Sequence, residues 1–81
     1  MRVTVVITPR GGILDPQGRA VEGALKSLGH HGVSTVRVGR YVTFDVDAFS
    51  KTAAEEAVKR MCDELLANPL IEDYRFEVQD E

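Results

Sequence analysis

Few side chains in this sequence are of the types that catalyse reactions, so their spacing decides which chemistry is open to the chain. His30 and His31 are adjacent, and on a helix they would point about 100° apart and could not share one metal ion. Just after a helix, such residues interact favourably with its negative C-terminal end. No cysteine–histidine spacing of a zinc site accompanies them. We interpret the pair as solvated helix-end residues, with a ligand or base role as the less favoured alternative.

Two further features have a structural interpretation beside a chemical one. Cys62 is the single cysteine, so it cannot form an internal disulfide, and it is expected to be a buried, reduced thiol of a cytoplasmic protein. Gly11-Gly12 lies between a predicted strand and a predicted helix, as a phosphate loop would. However, neither of the phosphate-loop motifs GxGxxG and GxxxxGK(S/T) is present, and Asp15 places a carboxylate where the anion would bind.

The remaining carboxylates do not form an acid/base pair. Asp45 and Asp47 are two residues apart on a predicted strand, so they share its solvent face. Glu72 and Asp73 are adjacent and therefore diverge. We predict that this chain provides no catalytic residue, binds no cofactor and holds no metal.

Size and composition narrow the function classes further. The 81 residues predict one domain, residues 1–81, and a chain this short has a small core that oligomerisation commonly completes. The net charge of −3, with lysine and arginine spread along the chain, argues against nucleic acid as a partner. No apolar run approaches the ~20 residues that cross a bilayer. We expect a cytoplasmic homo-oligomer, a dimer or larger, that binds no membrane.

The apolar pattern of the first half predicts a strand and a helix. Residues 3–7 alternate as a strand with one buried face does. Asp15 followed by Pro16 is typical of a helix start, with an N-cap and a proline at the first helical position. Gly29 or Gly32 would end the helix. Between these signals, apolar residues at helical spacing form one stripe: Ala20, Val21, Ala24, Leu25 and Leu28.

The middle of the chain predicts a hairpin and a second helix. Apolar alternation over 36–38 and 42–46 indicates a second and a third strand, joined at Gly39-Arg40. Thr52 with Glu55 forms a capping box for the next helix, and Ser50 is a competing cap. The predicted inner face of that helix consists of Ala57, Val58, Met61, Leu65 and Leu66.

The end of the chain completes the predicted fold class. Asn68-Pro69 stops the second helix, and alternation over 74–78 indicates a fourth strand. The order β-α-β-β-α-β is the ferredoxin-like pattern, an α+β fold with an antiparallel sheet and both helices on one face. The other sheet face is left open, and we expect a second copy to cover it in a dimer.

Three segments go beyond this generic pattern. They are Ile13-Leu14-Asp15-Pro16-Gln17-Gly18-Arg19-Ala20-Val21, Val36-Arg37-Val38-Gly39-Arg40, and Met61-Cys62-Asp63-Glu64-Leu65-Leu66-Ala67-Asn68-Pro69-Leu70-Ile71-Glu72-Asp73-Tyr74. In this order and spacing the chain resembles the PurS family, small subunits of phosphoribosylformylglycinamidine synthase, over nearly its whole length. One departure is Arg40, where the family usually has lysine, which matters if the side chain makes a planar contact.

The resemblance implies a non-catalytic role in purine (IMP) biosynthesis. A glutaminase subunit releases ammonia, and a large synthetase subunit uses it with ATP in an amidoligase reaction. The complex uses ATP, Mg and glutamine, whereas the PurS-type subunit dimerises, joins the two partners and helps to shape the ammonia path. The residues that the resemblance marks as interface candidates are Asp15, Gln17, Gly18, Arg19, Arg40, Asn68, Glu72, Asp73 and Tyr74.

Other classes share the same order of elements. An ACT-like regulatory module would bind an amino acid at a dimer interface through a glycine-rich loop, for which Gly11-Gly12 is the candidate. RNA-recognition modules need exposed aromatics with a basic surround, and Tyr41 and Phe44 fall on opposite faces of their strand. An acylphosphatase-like enzyme would need an asparagine close to Arg10. The ACT-like module is the main alternative.

Overall fold

The computed structural model describes residues 1–11 and 15–80, which form three strands and two helices. The bounds are β1 Arg2–Pro9, α1 Pro16–Ser27, β2 Arg40–Asp45, α2 Lys51–Met61 and β3 Glu72–Gln79. A π-helical turn, Cys62–Leu66, continues α2. Parts of two predicted features, Gly12 of the glycine pair and Ile13-Leu14 of the first family motif, lie outside the described residues.

The three strands form one antiparallel sheet in the order β2-β1-β3. Val3 lies opposite Phe44 on one side and Val78 on the other, and Val5 lies between Val42 and Phe76 in the same way. Strand alternation therefore puts all of these apolar side chains on one face, the inner face. The core forms where α2 packs on the β1 and β3 side of this face, and its buried members are Val3, Val5, Ile7, Ala54, Val58, Cys62, Ala67 and Val78.

Capping residues set the ends of α1 as predicted. Asp15 is the N-cap, and its Oδ1 accepts a hydrogen bond from the Gly18 amide at 3.0 Å. At the other end Gly29 takes a positive φ of 98°. Its amide bonds the Lys26 carbonyl, and the next amide bonds the Leu25 carbonyl. This is a Schellman motif, in which glycine is favoured because no Cβ opposes the left-handed conformation.

For α2 the structure selects one of the two predicted caps. Ser50 is the N-cap, and its hydroxyl accepts from the Ala53 amide at 3.1 Å. The capping box at Thr52 is therefore wrong, because Thr52 already lies within the first helical turn. The stop at Asn68-Pro69 is confirmed, since the chain leaves helical geometry at Ala67.

The α+β class with an antiparallel sheet is confirmed, but one of the predicted strands does not form. In the described residues the sheet has three strands, and the 36–38 segment is not among them. The chain does not turn back at Gly39-Arg40 as a hairpin would; it runs on from Val38 into β2. The physical reason is that the amides of Val36 and Val38 bond carboxylates of the α1 segment instead of a neighbouring strand.

The helix α1 and the 33–38 segment that returns beside it form an arm, defined here as residues 15–38. Within the described residues, α1 makes no extensive contact with the sheet or with α2. Its apolar stripe stays in solvent, with Val21 42% and Leu28 76% exposed. The chain is accordingly long and thin, 51 × 27 × 14 Å.

The inner face of α2 is narrower than predicted. Val58 is buried and Ala57 and Leu66 are partly buried, but Met61 and Leu65 are exposed, Leu65 to 82%. These two residues line a groove beside β2 together with Phe44, Glu64 and Leu66. The prediction for them is wrong because α1, which would flank α2 in a closed ferredoxin-like unit, lies away in the arm.

Candidate partner-binding site

The base of the arm is built from carboxylates that accept hydrogen bonds from the returning chain. Asp15 is buried, and while its Oδ1 caps α1, its Oδ2 accepts from the Val38 amide at 2.9 Å. Two helical turns further on, Glu22 Oε1 accepts from the Val36 amide at 3.1 Å. Together the two carboxylates fix the returning segment alongside α1.

Gly18 allows this close contact between the helix and the returning segment. A Cβ at Gly18 would overlap the Val36 carbonyl oxygen and crowd the Asp15 carboxylate. The backbone of the returning segment therefore approaches α1 most closely at this helical glycine. Gly39 plays the matching role where the arm joins the sheet, since a Cβ there would overlap the Ile7 carbonyl oxygen.

Hydrogen bonds to these carboxylates favour their ionised forms. The Gly18 and Val38 amides lower the pKa of Asp15 below its ordinary value, and the Val36 amide, helped by Lys26, lowers the pKa of Glu22. A carboxylate whose pKa is lower in the folded state stabilises that state above its unfolded pKa, and this contribution is lost as the pH falls through the folded value. The ordinary values are 3.8 for Asp15 and 4.5 for Glu22.

We therefore expect the arm to weaken as the pH falls below about 4.5. The double variant Asp15→Asn/Glu22→Gln should show a smaller loss of stability between pH 7 and pH 3, because asparagine still caps the helix but does not titrate. The measurement is the urea midpoint at a series of pH values. If the urea midpoint depended on pH equally in the variant and the wild type, the assignment would be contradicted. Asp63, whose pKa is also lowered, accounts for part of the dependence that remains.

A second polar cluster lies where β2 and β3 meet the arm end of the sheet. We call it the corner network, and it consists of Arg10, Arg40, Asn68, Glu72 and Asp73. Glu72 is its centre: Oε1 accepts from Arg40 Nη2 at 2.6 Å and from the Asn68 amide at 2.8 Å. The Glu72 side chain is only 19% exposed. One carboxylate therefore ties β2 to the turn that precedes β3.

Arg10 joins the end of β1 to the same network. Its Nε lies 3.4 Å from Asp73 Oδ1 and donates to the Glu72 carbonyl at 3.3 Å. Arg40 follows Val38 after one intervening residue, so the corner network and the base of the arm occupy the same end of the sheet. The three family segments therefore meet at one end of the molecule.

Tyr74 extends the polar surface toward the π-helical turn. Its hydroxyl donates to Asp63 Oδ1 at 2.8 Å. The carboxylate raises the pKa of Tyr74 to about 12, and the same hydrogen bond, with Lys59, holds the pKa of Asp63 below its usual range. Tyr74 is thus a protonated donor, and its ring stacks on Phe76 at 6.3 Å.

Among the described residues, the potentially reactive side chains have structural roles. Cys62 is fully buried, and burial raises the pKa of its thiol, as expected for an inert core cysteine. Within residues 1–11 and 15–80, no group of three or more His, Cys, Asp and Glu side chains could hold a metal ion. In the same ranges, no helix has the length and apolar character needed to span a membrane.

The structure brings together most, though not all, of the predicted interface residues. Asp15 and Gly18 form the base of the arm, and Arg40, Asn68, Glu72 and Asp73 form the corner network, with Tyr74 beside it. Gln17 and Arg19 are exposed on the first turns of α1. Sequence reasoning did not select Glu22, Arg10 and Asp63. Glu22 could have been found because it lies seven residues after Asp15, two helical turns along the same side.

Arg40→Lys should be nearly neutral. A single nitrogen of Arg40 contacts a single oxygen of Glu72, and the Arg40 side chain is 53% exposed. Lysine can make such a one-point contact, so we expect the free energy of unfolding to change by less than about 0.5 kcal/mol. The free energy of unfolding is measured by chemical denaturation, and Arg40→Gln, which removes the charge, is the control. A clearly larger loss with lysine would show that the guanidinium plane is needed.

Comparison with known proteins identifies the family of this chain. The model of the PurS family, described as phosphoribosylformylglycinamidine (FGAM) synthase, matches residues 2–80. The chain belongs to the PurS family. The FGAM synthase subunit PurS of Bacillus subtilis is 42% identical over 98% of this chain and 93% of its own length. The Synechocystis PurS subunit is 43% identical over 91% of this chain and 74% of its own.

Solved PurS structures have the same fold. B. subtilis PurS superposes with a TM-score of 0.87 at 42% identity, covering 98% of each chain. A chain of the PurLQS structure from Thermotoga maritima gives a TM-score of 0.85 at 32% identity, over 94% of this chain and 93% of that one. The three-stranded sheet with two helices is therefore the PurS fold.

Proposed function

We propose that this chain is the non-catalytic assembly subunit of phosphoribosylformylglycinamidine synthase, joining the glutaminase subunit to the large synthetase subunit. The observation that carries the proposal is the match, over 94% of the chain, to a chain of the PurLQS structure from T. maritima. The whole chain, residues 1–81, acts as one PurS-like domain in the cytoplasm. The partner subunits use ATP, Mg²⁺ and glutamine, and the complex is an amidoligase.

The geometry supports a binding role for the candidate residues. The carboxylates of Asp15, Glu22 and Glu72 accept hydrogen bonds from backbone amides, and Tyr74 is held protonated by Asp63. A base or nucleophile needs the opposite, a group free to change protonation near neutral pH. We propose that the arm end of the sheet, with Gln17 and Arg19 exposed beside the corner network, is the surface that meets a partner subunit.

Self-association belongs to the same proposal. The sheet face opposite α2 carries Thr4, Val6 and Tyr41 among charged residues such as Arg75 and Glu77. This open face remains a predicted self-association surface. A homo-oligomer would present two copies of the arm end, and so would give each partner subunit its own docking position.

The test is recovery of partners by the tagged chain from its native extract, with glutamine, ATP and Mg²⁺ added and bound proteins identified by mass spectrometry. We expect a glutaminase and a large ATP-dependent synthetase. Arg40→Glu, which reverses a corner-network charge, should recover less of one partner. Lys51→Glu, the same reversal at the exposed start of α2, is the matched control. Recovery of the chain alone, stabilised by a free amino acid, would favour the ACT-like alternative instead.

A further inference from the structure

Three consecutive apolar residues are exposed in the turn that leads into β3. We call Pro69, Leu70 and Ile71 the apolar tip, and within it Leu70 is 80% and Ile71 44% exposed. An exposed run of three apolar residues is unusual on a globular domain unless it has a function. A single exposed apolar residue is common, and Phe49, 97% exposed between partly buried neighbours, is of that kind. The apolar tip is therefore a candidate binding surface.

The backbone that carries the apolar tip is fixed. Asn68 Oδ1 accepts from the Leu70 amide at 3.0 Å, and the Asn68 carbonyl accepts from the Ile71 amide at 3.2 Å. The Ile71 carbonyl accepts from the Arg10 amide at 2.9 Å, which ties the tip to the end of β1. Pro69 has no amide hydrogen and a fixed φ, so every backbone donor of the tip has an acceptor. A surface that is ordered before binding loses little conformational entropy when a partner binds.

The turn does not need a leucine for its own stability. Its hydrogen bonds come from Asn68 and from backbone groups. Because most of the Leu70 side chain lies in solvent, its apolar surface contributes little to folding. Glycine, asparagine, aspartate and serine are the residues that turns favour, beside proline. The leucine is therefore placed for a contact outside its own chain.

The charged groups beside the apolar tip are already paired with one another. Arg40 Nη2 lies 2.6 Å from Glu72 Oε1, and Arg10 Nε lies 3.4 Å from Asp73 Oδ1. The corner network thus has two arginines and two acidic residues, whose charges cancel. An apolar centre with a polar rim is the usual anatomy of a protein–protein interface. The matching surface is therefore an apolar pocket of a protein, with little net charge around its mouth.

We propose that the apolar tip anchors this chain to one partner subunit, with Leu70 inserted into an apolar pocket of that subunit. The corner network surrounds the mouth of the pocket and excludes water from the contact. The inference rests on the proposed function, and it names the side chain that provides most of the affinity at the arm end of the sheet.

The test measures how tightly the purified glutaminase and synthetase subunits bind immobilised variants of this chain, with ATP, Mg²⁺ and glutamine present. Leu70→Asp places an unpaired charge in the pocket and should weaken the binding of one subunit by about 30-fold or more. Leu70→Met keeps the apolar reach and should retain most of the affinity. Phe49→Asp makes the same kind of change beyond the far end of β2 and should bind like the wild type.

The wild-type chain separates failure of the anchor from failure of the proposed function. If the wild type binds and Leu70→Asp binds both subunits equally well, the apolar tip is not the anchor and the proposed function stands. If the wild type binds neither subunit, the proposed function fails and the anchor with it. The urea midpoint and the sedimentation coefficient of Leu70→Asp should match those of the wild type. A lower midpoint or a changed oligomeric state would contradict the proposal, because the tip would then serve folding or the contact between copies of this chain.

Discussion

Gly18→Ala destabilises the arm, whereas the same substitution at Gly23 in the same helix stabilises it. Helix propensity alone predicts that both changes stabilise, each by about 1 kcal/mol. At Gly23 a Cβ meets nothing within 4 Å, so that gain is available in full. At Gly18 the added methyl overlaps the Val36 carbonyl, which the Val36 and Val38 hydrogen bonds hold in place. Overpacking against a fixed backbone costs about 1–3 kcal/mol.

The opposite signs are the measurable result. Hydrogen exchange followed by NMR reports the Val36 and Val38 amides directly, and both should exchange faster in Gly18→Ala and no faster in Gly23→Ala. The melting temperature should move in the same directions, by about 4–8 °C for each kcal/mol in a domain of this size. Stabilisation by both substitutions would show that Gly18 is not needed for the close approach of the returning segment.

Glu72→Ala should be the most damaging single change in the corner network. It removes one partner of Arg40 and leaves the Asn68 amide without its acceptor. Losing a hydrogen bond to a charged group costs about 1.5–3 kcal/mol, and partial solvent exposure of this pair argues for the lower part of that range. We expect a lower urea midpoint with an unchanged denaturant slope.

Glu72→Gln separates the two contributions. Glutamine can still accept from the Asn68 amide, but it no longer forms an ion pair with Arg40, so its loss should be the smaller of the two. Adding Arg40→Gln to Glu72→Ala should add little further loss, because the partner is already gone. If Glu72→Gln lost as much stability as Glu72→Ala, most of the energy would come from the ion pair with Arg40 and not from the hydrogen bond of the Asn68 amide.

The predictable parts of the fold are those specified by short stretches of sequence. Alternating β-branched residues predict β1, and the Asp15-Pro16 start with its apolar stripe predicts α1. Gly29, one of the two predicted stops of that helix, is the one that ends it, with a positive φ. Each of these signals acts within about one helical turn of the backbone that it shapes.

The second predicted strand failed for a reason that no local pattern contains. The alternation of Val36 and Val38 is that of a strand, but a strand also needs a neighbour for its amides. In one chain those amides are taken by the Asp15 and Glu22 carboxylates. The strand-like pattern of the 36–38 segment is therefore present in the sequence but does not form a strand in the structure of the single chain.

The candidate site was predictable in membership but not in arrangement. The family motifs selected Arg40, Asn68 and Glu72, and in the structure the Glu72 carboxylate accepts from Arg40 at 2.6 Å and from the Asn68 amide at 2.8 Å. Arg10 was considered only for an enzyme-like loop. Its link to Asp73 depends on the register of β1 against β3, which sequence periodicity does not determine.

The most direct test of the subunit role is reconstitution of the synthase from the glutaminase subunit, the large synthetase subunit and this chain. ATP-dependent product formation is measured with glutamine and, separately, with ammonium as the nitrogen donor. An assembly subunit predicts that leaving the chain out abolishes the glutamine-dependent rate while the ammonium-dependent rate persists. An unchanged glutamine-dependent rate without the chain would contradict the account.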